Sequence, residues 1–412
     1  MTRIDSPQPG RIQSMDAVRG FAVAGIVLMN IFFFSMPSAA YFNPRAWGGM
    51  ETIDLGLWTA SFLFIEDKMR GLFAMLFGAS VLLMMERSSH SAPLRQHYLR
   101  MAWLLMIGLA HAILLANNDI LRLYAICGFM LPLFAGLSVR GLFIASGLFL
   151  TVHMIAGGYV SAVWITFYYD VQAGLVSPES IAPAERAFGA DPEALDRQIT
   201  RNLGDYQSIV AARIANPLGL AFAALVFLPV TLSTMLFGMG LYRASFFALD
   251  FSDRLLRKMA VLGFALGLPV LAGLAFWNFT EEFAAVIVAS NALVWSAPAD
   301  LAVSAGCAAL LMILIRRTKT ADIVRRFAAA GRMALTNYIA TSLILGLIFF
   351  GYGGGLFSAI SRPKAYLFAL VPIGLMLGWS LPWLNRFRYG PIEWLWRSLA
   401  RGHMQQMKGP AQ

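Results

Sequence analysis

The chain has 412 residues, of which 58% are hydrophobic and 13% are charged. Soluble globular domains carry about 25% charged residues, so this composition excludes that class and predicts a protein that faces lipid over most of its surface. The formal net charge is +10. In a membrane protein such an excess indicates basic cytoplasmic loops, and we expect no nucleic-acid partner. Cys127 and Cys307 lie in apolar stretches and lack the spacing of a disulfide framework or a metal site.

The apolar segments predict ten transmembrane helices, because a helix needs roughly 20 apolar residues to cross the hydrocarbon core. In chain order these segments are 16–36, 70–86, 98–117, 119–138, 140–165, 216–241, 258–277, 298–316, 333–351 and 366–385. Two shorter apolar segments, 52–65 and 283–297, are predicted to form interfacial or re-entrant helices. The predicted fold class is therefore all-α, a polytopic membrane protein in which residues 1–412 form a single transmembrane domain.

The distribution of basic residues predicts the orientation. When ten spans start from a cytoplasmic N-terminus, 22 of the 32 lysines and arginines fall on the inner side, as the positive-inside rule requires. They include Arg3, Arg11 and Arg87. If 52–65 were a full span, the loop that contains Arg87 and Arg100 would face outward. We therefore expect a multi-pass protein of the bacterial inner (plasma) membrane with cytoplasmic N- and C-termini.

Residues 166–215 are the one sizeable segment between predicted spans, and they are acidic. Asp191 followed by Pro192 is typical of a helix start. We predict an extramembrane helical cap over the outer face, with a merely solvated loop helix as the alternative. The charged residues at 66–70, which precede the second span, are predicted to form a solvated loop.

The stretch GLAHAILLANNDILRLY, from Gly108 to Tyr124, concentrates polar residues inside an apolar sequence. Polar groups at membrane depth are costly and are therefore functional candidates, although they can also join helices by hydrogen bonds. His111 lies in the predicted third span, and imidazole titrates near neutral pH, which suits a general base. Asp119 and Arg122 follow an Asn-Asn hairpin at a spacing that lets them pair, and Tyr124 adds a hydroxyl.

Two polar clusters emerge from the predicted spans. Asn30 belongs to an outer cluster with the residues of the hairpin, because it follows Arg19 by 11 residues and so lies about 16 Å deeper in the first span. Arg19, which has Asp16 three residues before it, belongs to an inner cluster with Arg332 and Asn337 of the ninth span. The guanidinium groups of this inner cluster are suited to phosphate.

Several of these stretches resemble the YeiB-like integral membrane proteins, which contain domain of unknown function 418. The matching stretches are DAVRGFAVAGIVLMNI, LFAMLFGAS, GLAHAILLANNDILRLYAICG, GRMALTNYIATSLI, FFGYGGGLF and GPIEWLWRSL. They run from the first span to the C-terminal tail, so the resemblance covers nearly the whole chain. That family is similar in turn to the transmembrane acyltransferases of the acyltransferase-three and heparan N-acetyltransferase types.

The similarity to acyltransferases implies about ten spans and transfer of an acyl group from cytosolic acyl-CoA to an acceptor on the other face. The bacterial O-acetylation enzymes have a first-span arginine, which Arg19 matches, and a histidine 11 residues later, where this chain has Asn30. An amide cannot act as a general base at neutral pH, so that mechanism does not transfer directly. The heparan-type enzymes have an asparagine in a comparable setting, and His111 is the best substitute for the missing histidine.

The resulting hypothesis is an acyltransferase that moves an acyl group, acetyl in the first instance, to an outer-face glycan, lipid or small molecule. The catalytic candidates are His111, Asn30 and Asp119; the acetyl-CoA-binding candidates are Arg19, Arg332 and Asn337; the acceptor-binding candidates are Arg122 and Tyr124. His111, held by Asp119, would be the general base or a transient acyl acceptor, and Asn30 would stabilise an oxyanion. No metal is expected.

A transporter or exporter of a small metabolite or lipid is the competing hypothesis. Intramembrane histidine, aspartate and arginine are equally typical of proton-coupled carriers. A third hypothesis is a receptor or scaffold whose polar residues only lock helices together. Membrane lipids are partners in each case, and each is compatible with an oligomer.

Overall fold

The computed structural model describes residues 13–86, 93–215, 217–248, 251–318 and 321–408. Arg3, Arg11 and Arg87, which supported the predicted orientation, lie outside the described residues.

Apart from the loops, the described residues form helices. The first seven helices are α1 (Gln13–Ser35), α2 (Ala39–Phe42), α3 (Thr52–Phe64), α4 (Lys68–Glu86), α5 (Pro93–Leu114), α6 (Leu121–Met130) and α7 (Val139–Gln172). Three short helices follow, which are α8 (Ala182–Phe188), α9 (Pro192–Asn202) and α10 (Tyr206–Ile214). The remaining helices are α11 (Pro217–Arg243), α12 (Asp253–Thr280), α13 (Ala285–Ser290), α14 (Ala297–Thr318), α15 (Asp322–Arg332), α16 (Ala334–Phe349), α17 (Arg362–Arg386) and α18 (Pro391–Arg401). An isolated bridge between Phe387 and Lys408 is the one β pairing in this part of the chain.

Eight helices of the described chain are long and apolar enough to cross a membrane, when α3 and α4 are counted together as Thr52–Glu86. A ninth span results if α15 and α16, which meet at a bend of 85°, are one broken span. The all-α polytopic fold is therefore confirmed with eight to nine spans rather than ten. The difference arises at 119–138, where the apolar helix covers only Leu121–Phe134. Pro132 starts a tight 3-10 turn there, because proline has no N–H for a continuing α-helix.

The two short apolar segments form helices that lead directly into long ones. Segment 52–65 forms α3, and Asp67, with φ of +57°, turns the chain into α4. Segment 283–297 forms α13 and a π-helical turn, Asn291–Trp295, which leads into α14. Such breaks place polar backbone and side chains at the start of α4 and α14, inside the helical bundle.

Helix α1 is the centre of the bundle. In its most apolar stretch 72% of the residues are buried, against 17% in α7, so α7 turns most of its surface outward. Glycines allow close packing around α1 and its neighbour α4. A Cβ at Gly331 would lie 1.9 Å from the carbonyl oxygen of Asp16, and one at Gly78 would lie 2.0 Å from that of Met235. These helices can approach so closely only because glycine has no side chain.

Helices α8 to α10 form a helical insert between α7 and α11. Because α7 extends through Gln172, the insert begins later than the predicted start at residue 166. Ser38, after α1, donates to the side chain of Gln198 from both its N–H and its Oγ, at 3.1 Å each. Arg213 donates to the carbonyl oxygen of Ile113 in α5 at 3.2 Å. The insert therefore packs over the ends of α1 and α5.

Candidate functional site

A cavity of about 490 Å³ lies beneath the helical insert. Its walls come from α1, the start of α4, the hairpin between α5 and α6, the insert, and α11. Its polar lining residues are Asn30, Ser38, Tyr41, Asp67, Arg70, Asn117, Asn118, Asp119, Arg122, Gln198, Arg201, Asn202 and Arg213. The cavity thus brings three of the predicted outer-cluster residues, Asn30, Asp119 and Arg122, to one place.

The hairpin that joins α5 to α6 is organised by Asp119. Its Oδ2 atom accepts hydrogen bonds from Arg122, from the backbone N–H at 2.9 Å and from Nε at 3.3 Å. Arg122 also donates to the carbonyl oxygen of Asn117 at 3.2 Å. The predicted pairing of Asp119 with Arg122 is therefore confirmed, and it folds the hairpin back on the start of α6.

His111 lies directly behind this hairpin. Its Nδ1 atom is 2.9 Å from Oδ1 of Asp119, within ion-pair distance but off the line of a ring N–H hydrogen bond. Its Nε2 atom is 2.8 Å from Oγ of Ser342 in α16. The ring also lies 5.0 Å from the ring of Tyr338. A carboxylate and a hydroxyl thus flank the two nitrogens of one imidazole.

Glycine makes this arrangement possible on α5. A Cβ at Gly108, one turn before His111, would lie 2.8 Å from the backbone nitrogen of Arg122 and 3.0 Å from Oδ2 of Asp119. These distances are shorter than a normal van der Waals contact, so a side chain at residue 108 would push the hairpin away from α5. Gly108 is therefore part of the geometry that holds Asp119 beside His111.

The side chains of the His111 site are sealed from the cavity in this conformation. The side chain of His111 is 2% exposed and that of Asp119 is 0% exposed, and Ser342 is buried. The hairpin residues Asn117 to Ile120 line the cavity and form the wall between it and the imidazole. Asn118 has a buried Nδ2 without a hydrogen-bond partner among the described residues.

Tyr124 lies apart from the larger cavity, against a second cavity of about 40 Å³ that Asp67 and Arg70 also line. Its hydroxyl donates to the carbonyl oxygen of Arg70 at 3.1 Å. Because Arg70 lines both cavities, Tyr124 is adjacent to the main cavity through that residue.

The predicted inner cluster occupies the opposite end of α1. Arg19 forms an ion pair with Asp16 at 2.8 Å and donates to Oγ of Ser80 at 2.6 Å. Arg332 ends α15, whose Gly331 packs on the backbone of Asp16. These contacts bring the chain around Arg332 beside the start of α1.

Asn337, the third member of the inner cluster, is tied into the bundle. Its amide donates to the carbonyl oxygen of Ala330 at 3.0 Å and to Oγ of Ser380 at 3.1 Å. Its oxygen accepts from Nε1 of Trp379 at 3.0 Å. With both N–H groups and the oxygen engaged, Asn337 joins α15, α16 and α17 in this conformation.

A second charged cluster is buried at the start of α4 and α14. Nζ of Lys68 lies 2.6 Å from Oδ1 of Asp300, and the lysine side chain is 1% exposed. Glu66 is buried beside it, and its Oε1 has no hydrogen-bond partner in the described ranges. The prediction of a solvated loop at 66–70 is therefore wrong, because the break between α3 and α4 turns these residues into the bundle.

The sequence does not single out Ser342 and Asn118 of the His111 site. Ser342 stands in an apolar span, and its one signal is its position one turn after Tyr338. The sequence predicts Asn118 only as part of a turn. Among the described residues no group of three or more histidines, cysteines, aspartates or glutamates could hold a metal ion.

Known proteins match this chain over almost its whole length. It is 28% identical over 401 residues to the uncharacterized protein YeiB of Escherichia coli (strain K12), with 94% of this chain and 95% of that protein covered. It is 27% identical over 408 residues to the uncharacterized protein YxaH of Bacillus subtilis (strain 168), with 94% of each chain covered. Residues 241–403 match the family described as Protein of unknown function (DUF418). The chain is therefore a multi-pass membrane protein that is homologous to bacterial YeiB and YxaH over almost its whole length and matches DUF418 in its C-terminal part.

Proposed function

We propose that this protein is a membrane acyltransferase that moves an acyl group, acetyl in the first instance, from cytosolic acyl-CoA to an acceptor at the outer face. The observation that carries the proposal is the placement of His111 between Asp119 and Ser342, directly behind the hairpin that lines the cavity. A carboxylate, an imidazole and a hydroxyl in this order are the parts of an activated serine nucleophile.

The first half-reaction uses Ser342 as a transient acyl acceptor. Its Oγ attacks the acyl carbonyl carbon, and its proton passes to Nε2 of His111, which is 2.8 Å away. The negative charge of Asp119 stabilises the imidazolium that forms. The thioester C–S bond breaks, and the imidazolium returns the proton to the departing thiolate.

The second half-reaction regenerates the serine. A hydroxyl or amine of the acceptor attacks the acyl-serine ester, and His111 takes its proton. When the ester C–O bond breaks, the imidazolium gives that proton back to Ser342. His111 thus acts as a base and then as an acid in each half-reaction.

Access to Ser342 requires movement of the hairpin, because the side chains of His111 and Asp119 are sealed behind it. Asn30 and Asn118 line the cavity, and their amides can donate to an oxyanion once the hairpin opens. Arg122 holds the hairpin closed through Asp119 and Asn117, and an acceptor that displaces these bonds would couple its own binding to opening. Tyr124 helps to position Arg70, which lines the acceptor cavity, because its hydroxyl donates to the carbonyl oxygen of that residue.

The donor enters from the other end of α1 in this proposal. Arg19 and Arg332 are charged groups at that end, and guanidinium groups suit the phosphates of acyl-CoA. Asn337 then maintains the helix arrangement around the donor rather than contacting it, because its amide is already bonded within the bundle. This orientation places the helical insert outside and both termini in the cytoplasm, as the charge distribution predicts.

A proton-coupled carrier is the second candidate function, and the buried cluster of Lys68, Asp300 and Glu66 favours it. Charged groups inside a bundle are typical of proton relays. Proteoliposomes with an enclosed pH-sensitive dye test this candidate. Proton movement that Asp300→Asn abolishes would favour a carrier, and no movement above that of empty liposomes would remove it.

The experiment for the acyltransferase measures release of free CoA from acetyl-CoA by the full chain in a neutral detergent. We expect turnover in the wild type and a loss of about a thousandfold or more in Ser342→Ala and His111→Asn. The matched controls are Ser146→Ala and His97→Asn, which change other buried residues of the same types and should retain turnover. Undiminished release by Ser342→Ala and His111→Asn would overturn the proposal.

A further inference from the structure

Two arginines of the helical insert line the cavity without a carboxylate partner among the described residues. Arg201 lies in α9 and Arg213 in α10, and both line the cavity above the hairpin. In contrast, Arg197 of α9 pairs with Glu193 at 3.2 Å, and Arg70 pairs with Asp67 at 2.6 Å. Arg197 and Arg70 thus each pair with a carboxylate, whereas Arg201 and Arg213 have no such pair within the described ranges.

The environment of the two arginines is unfavourable for cations. Burial lowers the pKa of Arg213, Tyr352 partly opposes this lowering, and the nearby charge of Arg201 adds to it. Burial also lowers the pKa of Arg201. Arg213 uses one N–H for the carbonyl oxygen of Ile113 and lies 5.7 Å from the ring of Phe350, which leaves further N–H groups for a ligand. An anion between the two side chains would relieve both the loss of water and the mutual repulsion.

The net charge of the cavity lining also favours an anionic ligand. Its lining contains four arginines and two aspartates, which leaves an excess of two positive charges. The aspartates are already paired, Asp67 with Arg70 at 2.6 Å and Asp119 with Arg122 at 3.3 Å. The excess therefore lies at the insert. A phosphate monoester carries close to two negative charges at neutral pH and matches this excess better than a carboxylate.

The remaining walls of the cavity are apolar. Ile26, Met29 and Phe33 of α1 line it, as do Phe227 and Leu293. A fully hydrophilic ligand would leave these surfaces in contact with its polar groups, whereas an amphiphile would bury its apolar part against them.

We infer that the cavity binds a phosphate-bearing amphiphile, with its phosphate between Arg201 and Arg213 and its apolar part along α1. Guanidinium groups bind phosphate through paired, charge-assisted hydrogen bonds. The inference rests on the proposed function in one respect, which is that this ligand is the acyl acceptor and presents its hydroxyl or amine to the hairpin below. The phosphate could belong to a membrane lipid or to a small soluble phosphate ester, and the experiment separates the two.

The test is the thermal unfolding temperature of the full chain in an uncharged maltoside detergent, followed by tryptophan fluorescence. The probes are dihexanoyl phosphatidic acid, dihexanoylglycerol, which lacks the phosphate, and glycerol 3-phosphate, which lacks the acyl chains. We expect a saturable rise with phosphatidic acid and none with dihexanoylglycerol. In Arg201→Gln and Arg213→Gln the half-saturating concentration should increase about tenfold or more, whereas Arg197→Gln should behave as the wild type.

Each outcome decides the inference. A rise with phosphatidic acid that glycerol 3-phosphate does not reproduce supports a lipid, whereas an equal rise with glycerol 3-phosphate would point to a small soluble phosphate ester and overturn the role of the apolar walls. No rise with either phosphate, or an unchanged half-saturating concentration in both arginine variants, overturns the inference. His111→Asn should bind the probes as the wild type does, so ligand binding is measured independently of turnover. Serine-dependent CoA release without probe binding would defeat this inference and leave the proposed function intact.

Discussion

Nε2 of His111 lies 2.8 Å from Oγ of Ser342, although 231 positions separate the two residues in the chain. The contact joins the end of α5 to the middle of α16. On its other side the imidazole faces Asp119, only eight positions away. One local and one distant partner thus position the same ring, and the distant partner is the group that could carry an acyl chain.

Gly108→Ala should weaken the site without removing any polar group. The new methyl would meet the backbone nitrogen of Arg122 and Oδ2 of Asp119, so the hairpin must move away from His111. We expect CoA release to fall about tenfold or more, because small displacements of catalytic groups are costly. Gly147→Ala on α7, where the new Cβ meets nothing within 4 Å, is the control. Equal turnover in both variants would show that Asp119 does not need its present position.

The crossing of α4 and α11 should tolerate no methyl group. A Cβ at Gly78 would lie 2.0 Å from the carbonyl oxygen of Met235, and one at Gly238 would lie 2.0 Å from that of Met75. We expect Gly78→Ala or Gly238→Ala to lower the free energy of unfolding by about 1–3 kcal/mol or more. Gly374→Ala in α17, where the glycine is open to the surroundings, should be neutral or stabilising by up to about 1 kcal/mol. Thermal unfolding in detergent measures these effects, and an equal loss in Gly374→Ala would contradict the tight crossing as their cause.

The buried ion pair of Lys68 and Asp300 should behave as a coupled unit. Lys68→Met leaves the buried charge of Asp300 without a partner, and Asp300→Leu does the same to Lys68. Each single variant should lower the free energy of unfolding by about 3–5 kcal/mol. The double variant removes both charges and should recover most of that loss. A double-mutant cycle of unfolding temperatures checks this prediction. Strictly additive losses would mean that the two charges do not interact in the folded protein.

Glu393 of α18 caps the start of α16 and should be important for the bent α15–α16 junction. Its Oε1 accepts from the backbone N–H groups of Leu335 at 2.7 Å and Thr336 at 3.0 Å, and its Oε2 accepts from Oγ1 of Thr336. Glu393→Ala leaves these buried donors unpaired, so we expect a loss of about 1–3 kcal/mol in the free energy of unfolding. Glu179→Ala, at an exposed glutamate, should change it by less than about 0.5 kcal/mol. Similar losses in both variants would contradict the capping role.

The same glutamate predicts a pH dependence. Burial raises the pKa of Glu393 above its usual value of 4.5, more than the hydrogen bonds that it accepts lower it. The folded state therefore binds this proton more tightly than the unfolded state, and the associated stability is lost as the pH rises above about 4.5. The unfolding temperature of the wild type minus that of Glu393→Gln, which cannot titrate, should fall from pH 5 to pH 8. A difference that rises over this range would reverse the sign of the shift.

The helical architecture could be predicted from the sequence because hydrophobic length alone specifies most spans. The pairing of Asp119 with Arg122 was also accessible, since both follow one hairpin at helical spacing. The number of spans is harder to predict. Pro132 ends one apolar helix early, and a bend of 85° divides another apolar segment. The mean hydropathy of a segment reveals neither feature.

The rest of the site depends on tertiary contacts that leave no local trace. Ser342 is one of several hydroxyl residues in an apolar helix, and only the packing of α16 against α5 selects it. Lys68 stands in a charged stretch that reads as a solvated loop, but the break after α3 buries it against Asp300. Arg201 and Arg213 belong to different short helices, and only the fold of the insert brings both to one cavity.

The most direct measurement of the serine chemistry is peptide mass spectrometry after incubation of the full chain with isotopically labelled acetyl-CoA and rapid acid quenching. We expect a labelled acetyl group on the peptide that contains Ser342 in the wild type, and no label there in His111→Asn. A label on a different residue, or CoA release by the wild type with no acetyl group on Ser342 at any quench time, would contradict an acyl-serine formed with His111 as its base.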